Sequence, residues 1–298
     1  MHRELLSNPH IGSYSALLVL AMLGGFLLTR WRAVRIGIKG SHIDNLTLLI
    51  ALMSLFGARF FSWWFYFPSG SSLWKAFTTS GGGMVFYGGL LFGIATVVLY
   101  ARATRLALGN LMDACAPGVA LGLTLGRVGC FMAGCCWGDL CVSPKELARL
   151  PSSEQIWQVR TMPVISGAEF PLAVQFPASA GAFRQHQKLN LVHEGATHSR
   201  PVHPVQLYEA VLALALCVGL HLWFNRRQRP GQVACALAGG YSAIRFATEF
   251  LRGDNSPDYF GFTLSQVISL LIAAVAIGLL VNRKTTPAIG RLQTLRVQ

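Results

Sequence analysis

Charge is scarce in this sequence. Asp, Glu, Lys and Arg make up 12% of its 298 residues, and only 12 of them are acidic. A soluble domain carries roughly 25% charged residues, so a water-soluble globular fold is excluded. The seven cysteines include no C-x2-C pair, the spacing that usually holds zinc and iron–sulfur centres, which argues against a metal. Seven cysteines in a chain this long do not form the dense disulfide framework of a small secreted domain either. No internal repeat is visible. The first apolar run lacks a basic n-region and an A-x-A-like cleavage site, so it is expected to stay in place as an anchor.

What is present is apolar: 53% of the residues are hydrophobic and the mean hydropathy is +0.47. A helix needs about 20 mostly apolar residues to cross hydrocarbon. Seven stretches qualify, at about 12–30, 44–66, 82–101, 113–134, 205–224, 232–250 and 263–281, although the fourth and sixth carry charge. The expected fold is an all-α polytopic membrane protein of about seven transmembrane helices, with a small extracytoplasmic head inserted between helices 4 and 5. The expected divisions are 1–138 (helices 1–4), 139–203 (head), 204–281 (helices 5–7) and 282–298 (basic tail).

The formal net charge of +13 sits between the spans. Arg30, Arg32, Arg35 and Lys39, then Arg102 and Arg105, then Arg226, Arg227 and Arg229, then Arg283, Lys284, Arg291 and Arg296 occupy alternate loops. The positive-inside rule therefore places the N-terminus outside, the C-terminus in the cytoplasm and the 139–203 head outside. The charge is topological, with anionic lipid headgroups as a second attraction, and nucleic acid is not expected as a partner. Within the head, "SPKELARL" reads as a short capped helix with Ser143 as N-cap, and "EFPLAVQFP" as a short strand or extended segment.

Ionisable residues inside spans are expensive unless they face a polar cavity. Arg59, Arg127, Glu209 and the series Arg245, Glu249, Arg252 are of this kind. The last three are spaced i, i+4, i+7, which puts them on one helix face. One reading is a self-neutralised structural series. The other is a positive excess that receives an anion, since one carboxylate does not neutralise two guanidiniums; a planar fork of donors suits the phosphate of a lipid. The glycines of "GGGMVFYGGLLFG" either pack helices closely or expose backbone N–H groups to an anion. His203 reads as a capping or interfacial residue, or as part of the same site. Cys130, Cys135, Cys136 and Cys141 follow the pattern C-x4-C-C-x4-C. They are either small space-filling residues, a disulfide, or a reactive thiol set, with Cys130, Cys135 and Cys136 as the candidate reactive thiols.

Seven motifs occur in order: "IGSY" in the first span, "GARFFSWWFY" in the second, "GGMVFYGG" in the third, "GRVGCFMAGCCWG" after the fourth, "FPLAVQFP" in the head, "HPVQLYE" opening the fifth and "RFATEFLR" in the sixth. In these the chain resembles the bacterial prolipoprotein diacylglyceryl transferases over nearly its whole length. The resemblance implies a multi-pass enzyme of the bacterial inner membrane, monomeric and without a cofactor. It moves the diacylglyceryl group of phosphatidylglycerol onto the lipobox cysteine thiol of a preprolipoprotein, recognised through its signal peptide, and releases glycerol phosphate. It also implies that Arg127 and Arg245 are the two essential arginines, with Tyr87 and Glu249 as further catalytic positions. Tyr14, Arg59, Gly138, His203, Gln206, Tyr208, Glu209 and Arg252 stand on motif positions as well, most of them as lipid or phosphate contacts.

The departures are equally specific. The family signature G-R-x-G-N-F-x-N-x-E has Cys130, Ala133 and Cys135 in place of Asn, Asn and Glu. Tyr87 stands where the family has a histidine, and Ser62 where it has a tyrosine. An unperturbed tyrosine, with a pKa of about 10, is a poor base at neutral pH. Thiol activation must then come from elsewhere. Two other functions remain open on the same scaffold: an enzyme using Cys130, Cys135 or Cys136 for acyl-transfer or thiol-redox chemistry, and a lipid-binding protein without turnover.

Overall fold

The computed structural model describes residues 4–7, 10–67, 71–78, 85–141, 170–254 and 261–282. In chain order these form a hairpin of β1 (Glu4–Ser7) and β2 (His10–Gly12), then α1 (Ser13–Arg35), α2 (Gly40–Tyr66), α3 (Leu73–Thr78), α4 (Phe86–Ala103), α5 (Leu108–Ala133) and α6 (Gly181–Lys188). They continue through α7 (Val205–Trp223), a single 3-10 turn at Phe224–Arg226, α8 (Gln232–Glu249) and α9 (Leu264–Asn282). The architecture is helical, as expected, apart from the short antiparallel hairpin, which pairs Leu6 with Ile11 and Ser7 with His10. The expected capped helix at 143–150, the glycines at 81–83 and the basic tail from 283 lie outside the described residues.

Each of the seven apolar stretches lies on a helix: α1, α2, α4, α5, α7, α8 and α9. Among the described residues five helices are long and apolar enough to cross a membrane, at Tyr14–Arg35, Gly40–Tyr66, Leu108–Ala133, Val205–Arg226 and Leu264–Val281. The apolar part of α4, Tyr87–Ala103, is shorter, and α8 is interrupted by Arg245 and Glu249. Burial is inverted relative to a soluble protein. Glu209, Glu249, Gln206 and Gln266 are among the most deeply buried side chains, while Val281, Leu222, Val211 and Trp64 are exposed. Such an outer surface is stable in lipid and not in water.

The chain forms two compact units, Phe26–Cys115 and Met1–Gly25 with Ala116–Gln298. In the first, Ile43 and Leu46 of α2 pack with Ala33, Ala101, Leu111 and Ala114. Gly57 of α2 and Gly88 of α4 let the two backbones touch, since a Cβ on either would run into the other's carbonyl oxygen and a phenylalanine beside it. The described glycines of the 81–93 run thus serve close helix packing.

In the second unit the segment 170–203 is irregular. The described part of "EFPLAVQFP", residues 170–177, forms no strand; Val174 makes a single bridge to Val202, and Pro177 to His198. Its core is Trp137, Leu140, Phe176, Ala180, Leu191 and Val202. The small helix α6 buries Ala182, Phe183 and His186, the i, i+1, i+4 face of a short amphipathic turn. His186 Nδ1 accepts the backbone N–H of Arg200 at 3.2 Å. Burial, with the Arg200 guanidinium adding to it, pushes its pKa down to about 4 from 6.5. A histidine held neutral in the folded state binds fewer protons there than when unfolded. The segment therefore keeps its full stability above pH 6.5 and loses it as pH falls from 6.5 towards 4, by on the order of 3 kcal/mol at most. Amide exchange across 176–202, corrected for intrinsic rates, should show protection falling between pH 7 and pH 5. Equal protection at both values would mean that His186 is not the buried neutral acceptor described.

Candidate active site

α5 ends where the "GRVGCFMAGCC" stretch turns. Gly134 adopts φ +67, its N–H bonds the carbonyl of Phe131 at 3.1 Å, and the N–H of Cys135 bonds the carbonyl of Cys130 at 3.1 Å. This is the 6→1 and 5→2 pair of a Schellman cap, which brings the residue after the glycine back over the last helical turn. Cys135 is thereby folded onto Cys130, its Sγ 3.6 Å from the Cys130 carbonyl oxygen. Cys136 follows at φ +58, an uncommon conformation for a side chain other than Asn or Asp. The C-x4-C spacing is the distance across this cap.

Beyond the cap, residues 137–141 are tied to two other segments. Gly138 N–H bonds the His203 carbonyl at 2.9 Å, Asp139 N–H bonds Leu251 O at 2.7 Å, and Gly253 N–H bonds Trp137 O at 3.2 Å. Both glycines are needed: a Cβ on Gly138 would overlap the His203 carbonyl and the Val205 side chain, and one on Gly253 would lie 2.7 Å from the Gly138 carbonyl oxygen. The ends of α5 and α8 and the start of α7 are thus held at one place. Gln206 fastens the cap as well, donating from Nε2 to the Cys135 carbonyl at 2.7 Å. Among the described residues its buried Oε1 has no hydrogen-bond partner.

The charged residues meet just below this junction. Glu209, one turn after Gln206 on α7, is 1% exposed and takes Arg127 Nε on Oε2 at 2.5 Å and Arg245 Nη1 on Oε1 at 3.1 Å. Thr248 Oγ1 donates to the same Oε1 at 2.7 Å. Arg127 reaches Tyr241 with Nη2 at 3.3 Å. Arg245 uses Nη2 for Glu249 Oε2 at 2.5 Å and for Ser265 Oγ at 3.1 Å. Glu249 Oε1 accepts Thr263 Oγ1 at 2.8 Å. Thr263 and Gln266 cap the start of α9 reciprocally, Thr263 N–H to Gln266 Oε1 at 3.0 Å and Gln266 N–H to Thr263 Oγ1 at 3.3 Å, so the residue that holds Glu249 is itself fixed by a capping box. Arg252 closes a two-bond fork on Asp254, both contacts 2.8 Å, and stands 3.9 Å from Glu249.

Three guanidiniums therefore face three carboxylates. The positive excess expected from the sequence does not hold among the described residues, because Glu209 and Asp254 join the balance from outside the Arg245–Arg252 helix face. Arg252 is fully engaged by Asp254; burial alone would lower its pKa, but the fork holds it above the ordinary value. Burial raises Asp254 against the pull of Arg252. Arg127 Nη1 and Arg245 Nε meet no protein acceptor among the described residues, and the two side chains are 15% and 12% exposed. Donors remain on both, directed by a shared carboxylate.

The other expected site residues fall as follows. His203, 5% exposed, packs tilted against Phe170, ring centroids 4.8 Å apart, and has Nδ1 3.4 Å from Tyr208 Oη; burial lowers its pKa. Tyr14, on α1, lies against Gly129 of α5. Arg59 and Tyr87 belong to the other compact unit, on α2 and at the start of α4, Arg59 half-buried and Tyr87 exposed. Cys130, Cys135 and Cys136 gather within 4.8 Å of one another. Hydrogen bonds from Cys130 and Cys135 lower the Cys136 thiol, with Arg252 and Arg127 adding to the effect. Sequence reasoning missed Tyr241, Thr248, Asp254, Thr263 and Ser265. Only two of these carried a signal: the T-x-x-Q capping box at 263–266, and an acid two residues after Arg252.

The family model described as prolipoprotein diacylglyceryl transferase matches residues 4–282. Relatives named phosphatidylglycerol–prolipoprotein diacylglyceryl transferase include one from Clostridium tetani, 26% identical over 268 residues that cover 90% of this chain and 91% of the relative. One from Pectobacterium carotovorum is 30% identical over 88% of this chain and 87% of its own length. A third, from Xanthomonas oryzae, is 28% identical over 93% and 88%.

Proposed function

This chain belongs to the prolipoprotein diacylglyceryl transferase family, and from that premise we propose that it transfers the diacylglyceryl group of phosphatidylglycerol to the lipobox cysteine thiol of preprolipoproteins, releasing glycerol phosphate. The observation that carries the reading is the pair Arg127 and Arg245 on opposite oxygens of Glu209. In the reaction a thiolate attacks the glyceryl carbon that bears the phosphate. The C–O bond breaks and its electron pair leaves on the phosphate. Donors aimed at that oxygen are the largest help a site can give, and the unengaged N–H groups of the two arginines supply them. Glu209 keeps the guanidiniums in register, and Glu249 and Ser265 fix Arg245 from its other side. The buried Gln206 Oε1 accepts a hydroxyl of the glycerol headgroup. Arg252 acts through Asp254 and Glu249 as a positioning residue.

The protein sits in the bacterial inner membrane as a monomer, with α1, α2, α4, α5, α7, α8 and α9 as seven spans. The 139–203 head and the N-terminus lie outside, and the tail lies in the cytoplasm. The basic clusters at and beyond the C-terminal ends of α1, α4, α7 and α9 support this orientation. A polar α8 is tolerated because its Arg245 and Glu249 are paired inward rather than facing lipid.

A bacterium depleted of its own transferase tests both parts. The chain should restore growth and lipoprotein diacylglycerylation. In the same cells a membrane-impermeant maleimide should gain a target with Ser179→Cys and none with Ser41→Cys, relative to the unaltered chain. Both positions are exposed. Growth without lipid-modified lipoprotein would sink the activity, and the reverse labelling would sink the topology.

A further inference from the structure

We propose that Cys130, Cys135 and Cys136 form a three-thiolate zinc site whose fourth coordination position receives the acceptor thiol. The sequence spacing argued against a metal, because zinc loops normally use C-x2-C. The fold removes that objection. The Schellman cap lays Cys135 over Cys130, Cys136 follows directly in the left-handed conformation, and all three Sγ atoms lie within 4.8 Å of one another. Tetrahedral zinc with bonds of about 2.3 Å sets its sulfurs roughly 3.8 Å apart, a separation inside that limit. A disulfide would use two of the three thiols and leave the third idle, whereas a soft cation uses all three.

The surroundings fit the ion. Three thiolates and Zn2+ leave one negative charge, and Arg127 and Arg252 are the cationic neighbours of Cys136. The backbone that carries the ligands is pinned from a second layer, with Gln206 Nε2 on the Cys135 carbonyl at 2.7 Å and Cys135 N–H on the Cys130 carbonyl, as metal sites require. Three protein ligands with one open position mark catalytic rather than structural zinc.

The inference deepens the transferase reading and rests on it, because a thiol acceptor is what the open position takes. The acceptor sulfur binds zinc as its S–H bond breaks and its proton passes to solvent. The zinc-held sulfur then forms the S–C bond with the glyceryl carbon while the C–O bond breaks, and the electron pair leaves on the phosphate oxygen. No oxidant or reductant is involved. The three cysteines would thus supply the activation of the acceptor thiol.

The test uses the full chain in phosphatidylglycerol nanodiscs. Zinc content by mass spectrometry should be about one per chain. Cys130→Ser, Cys135→Ser and Cys136→Ser should each lower it at least about ten-fold, and Cys235→Ala should not. With Co2+ in place of zinc, sulfur-to-cobalt and tetrahedral d–d bands should appear. They should shift when a lipobox peptide is added, and not when its cysteine is replaced by serine. If the serine variants fail to fold, chelation and zinc re-addition on the unaltered chain decides: transfer should fall and return. A zinc-free chain that transfers at the full rate, a native disulfide among the three cysteines, or cobalt bands indifferent to the peptide would each overturn the inference and leave the transferase reading standing. Bands that shift while no diacylglyceryl moves would overturn the transferase reading and leave a thiol-binding zinc site.

Discussion

Arg127→Lys and Arg245→Lys are each expected to lower kcat/KM for diacylglyceryl transfer by on the order of 100-fold, mostly in kcat, at normal expression. Lysine keeps the charge, so any loss reads geometry. Arg127 uses Nε for Glu209 and Nη2 for Tyr241, which leaves Nη1 for an anion; an ammonium has no rigid fork with which to do all three. The same holds for Arg245, whose Nη1 and Nη2 are committed to Glu209, Glu249 and Ser265. Because both guanidiniums are set by one carboxylate, the double variant should lose far less than the product of the single losses. Near-normal turnover in both lysine variants, measured with saturating phosphatidylglycerol, would remove the phosphate assignment.

The helices were legible because lipid leaves few options. A backbone in hydrocarbon must satisfy its own hydrogen bonds, so each apolar run is a helix. The ends were less legible. α1 runs on to Arg35 and α2 starts at Gly40, past the apolar parts of their runs, because helical hydrogen bonding continues into the headgroup region where charge is welcome. The site residues on motifs were readable as a set, yet their arithmetic was not. Counting charge along one helix face gave Arg245, Glu249 and Arg252 an excess, which, together with the charge of Arg127, Glu209 of α7 and Asp254 of the following turn cancel. Partners brought together by tertiary structure, such as Thr248 and Ser265, have no period in the sequence. The cysteine cluster is an intermediate case. Its C-x4-C element is local and follows from Gly134 as a left-handed cap, but a spacing rule built on zinc loops is blind to a helix end that folds back on itself.

Glu209→Gln should be the most damaging change that alters no shape. Glu209 is 1% exposed and takes two guanidiniums and a threonine hydroxyl. An amide in its place presents a donor to one of the arginines and removes the charge that offsets both. Breaking a buried ion pair by removing one partner costs about 3–5 kcal/mol, so the half-life of the detergent-solubilised protein at elevated temperature should fall sharply. Transfer should fall with it. The effect should shrink in an Arg127→Gln background, where one orphaned guanidinium is gone, and this coupling separates pairing from general damage. A second readout distinguishes a tuning role from a merely structural one. Three guanidiniums are matched by three carboxylates, so the site holds a singly charged lipid phosphate without gripping the more highly charged glycerol phosphate released. With glutamine the site gains one positive charge, and glycerol phosphate should inhibit the residual activity several-fold more strongly. Unchanged inhibition together with unchanged thermal half-life would show that Glu209 bridges nothing of consequence, and the anion site would have to be sought away from Arg127 and Arg245.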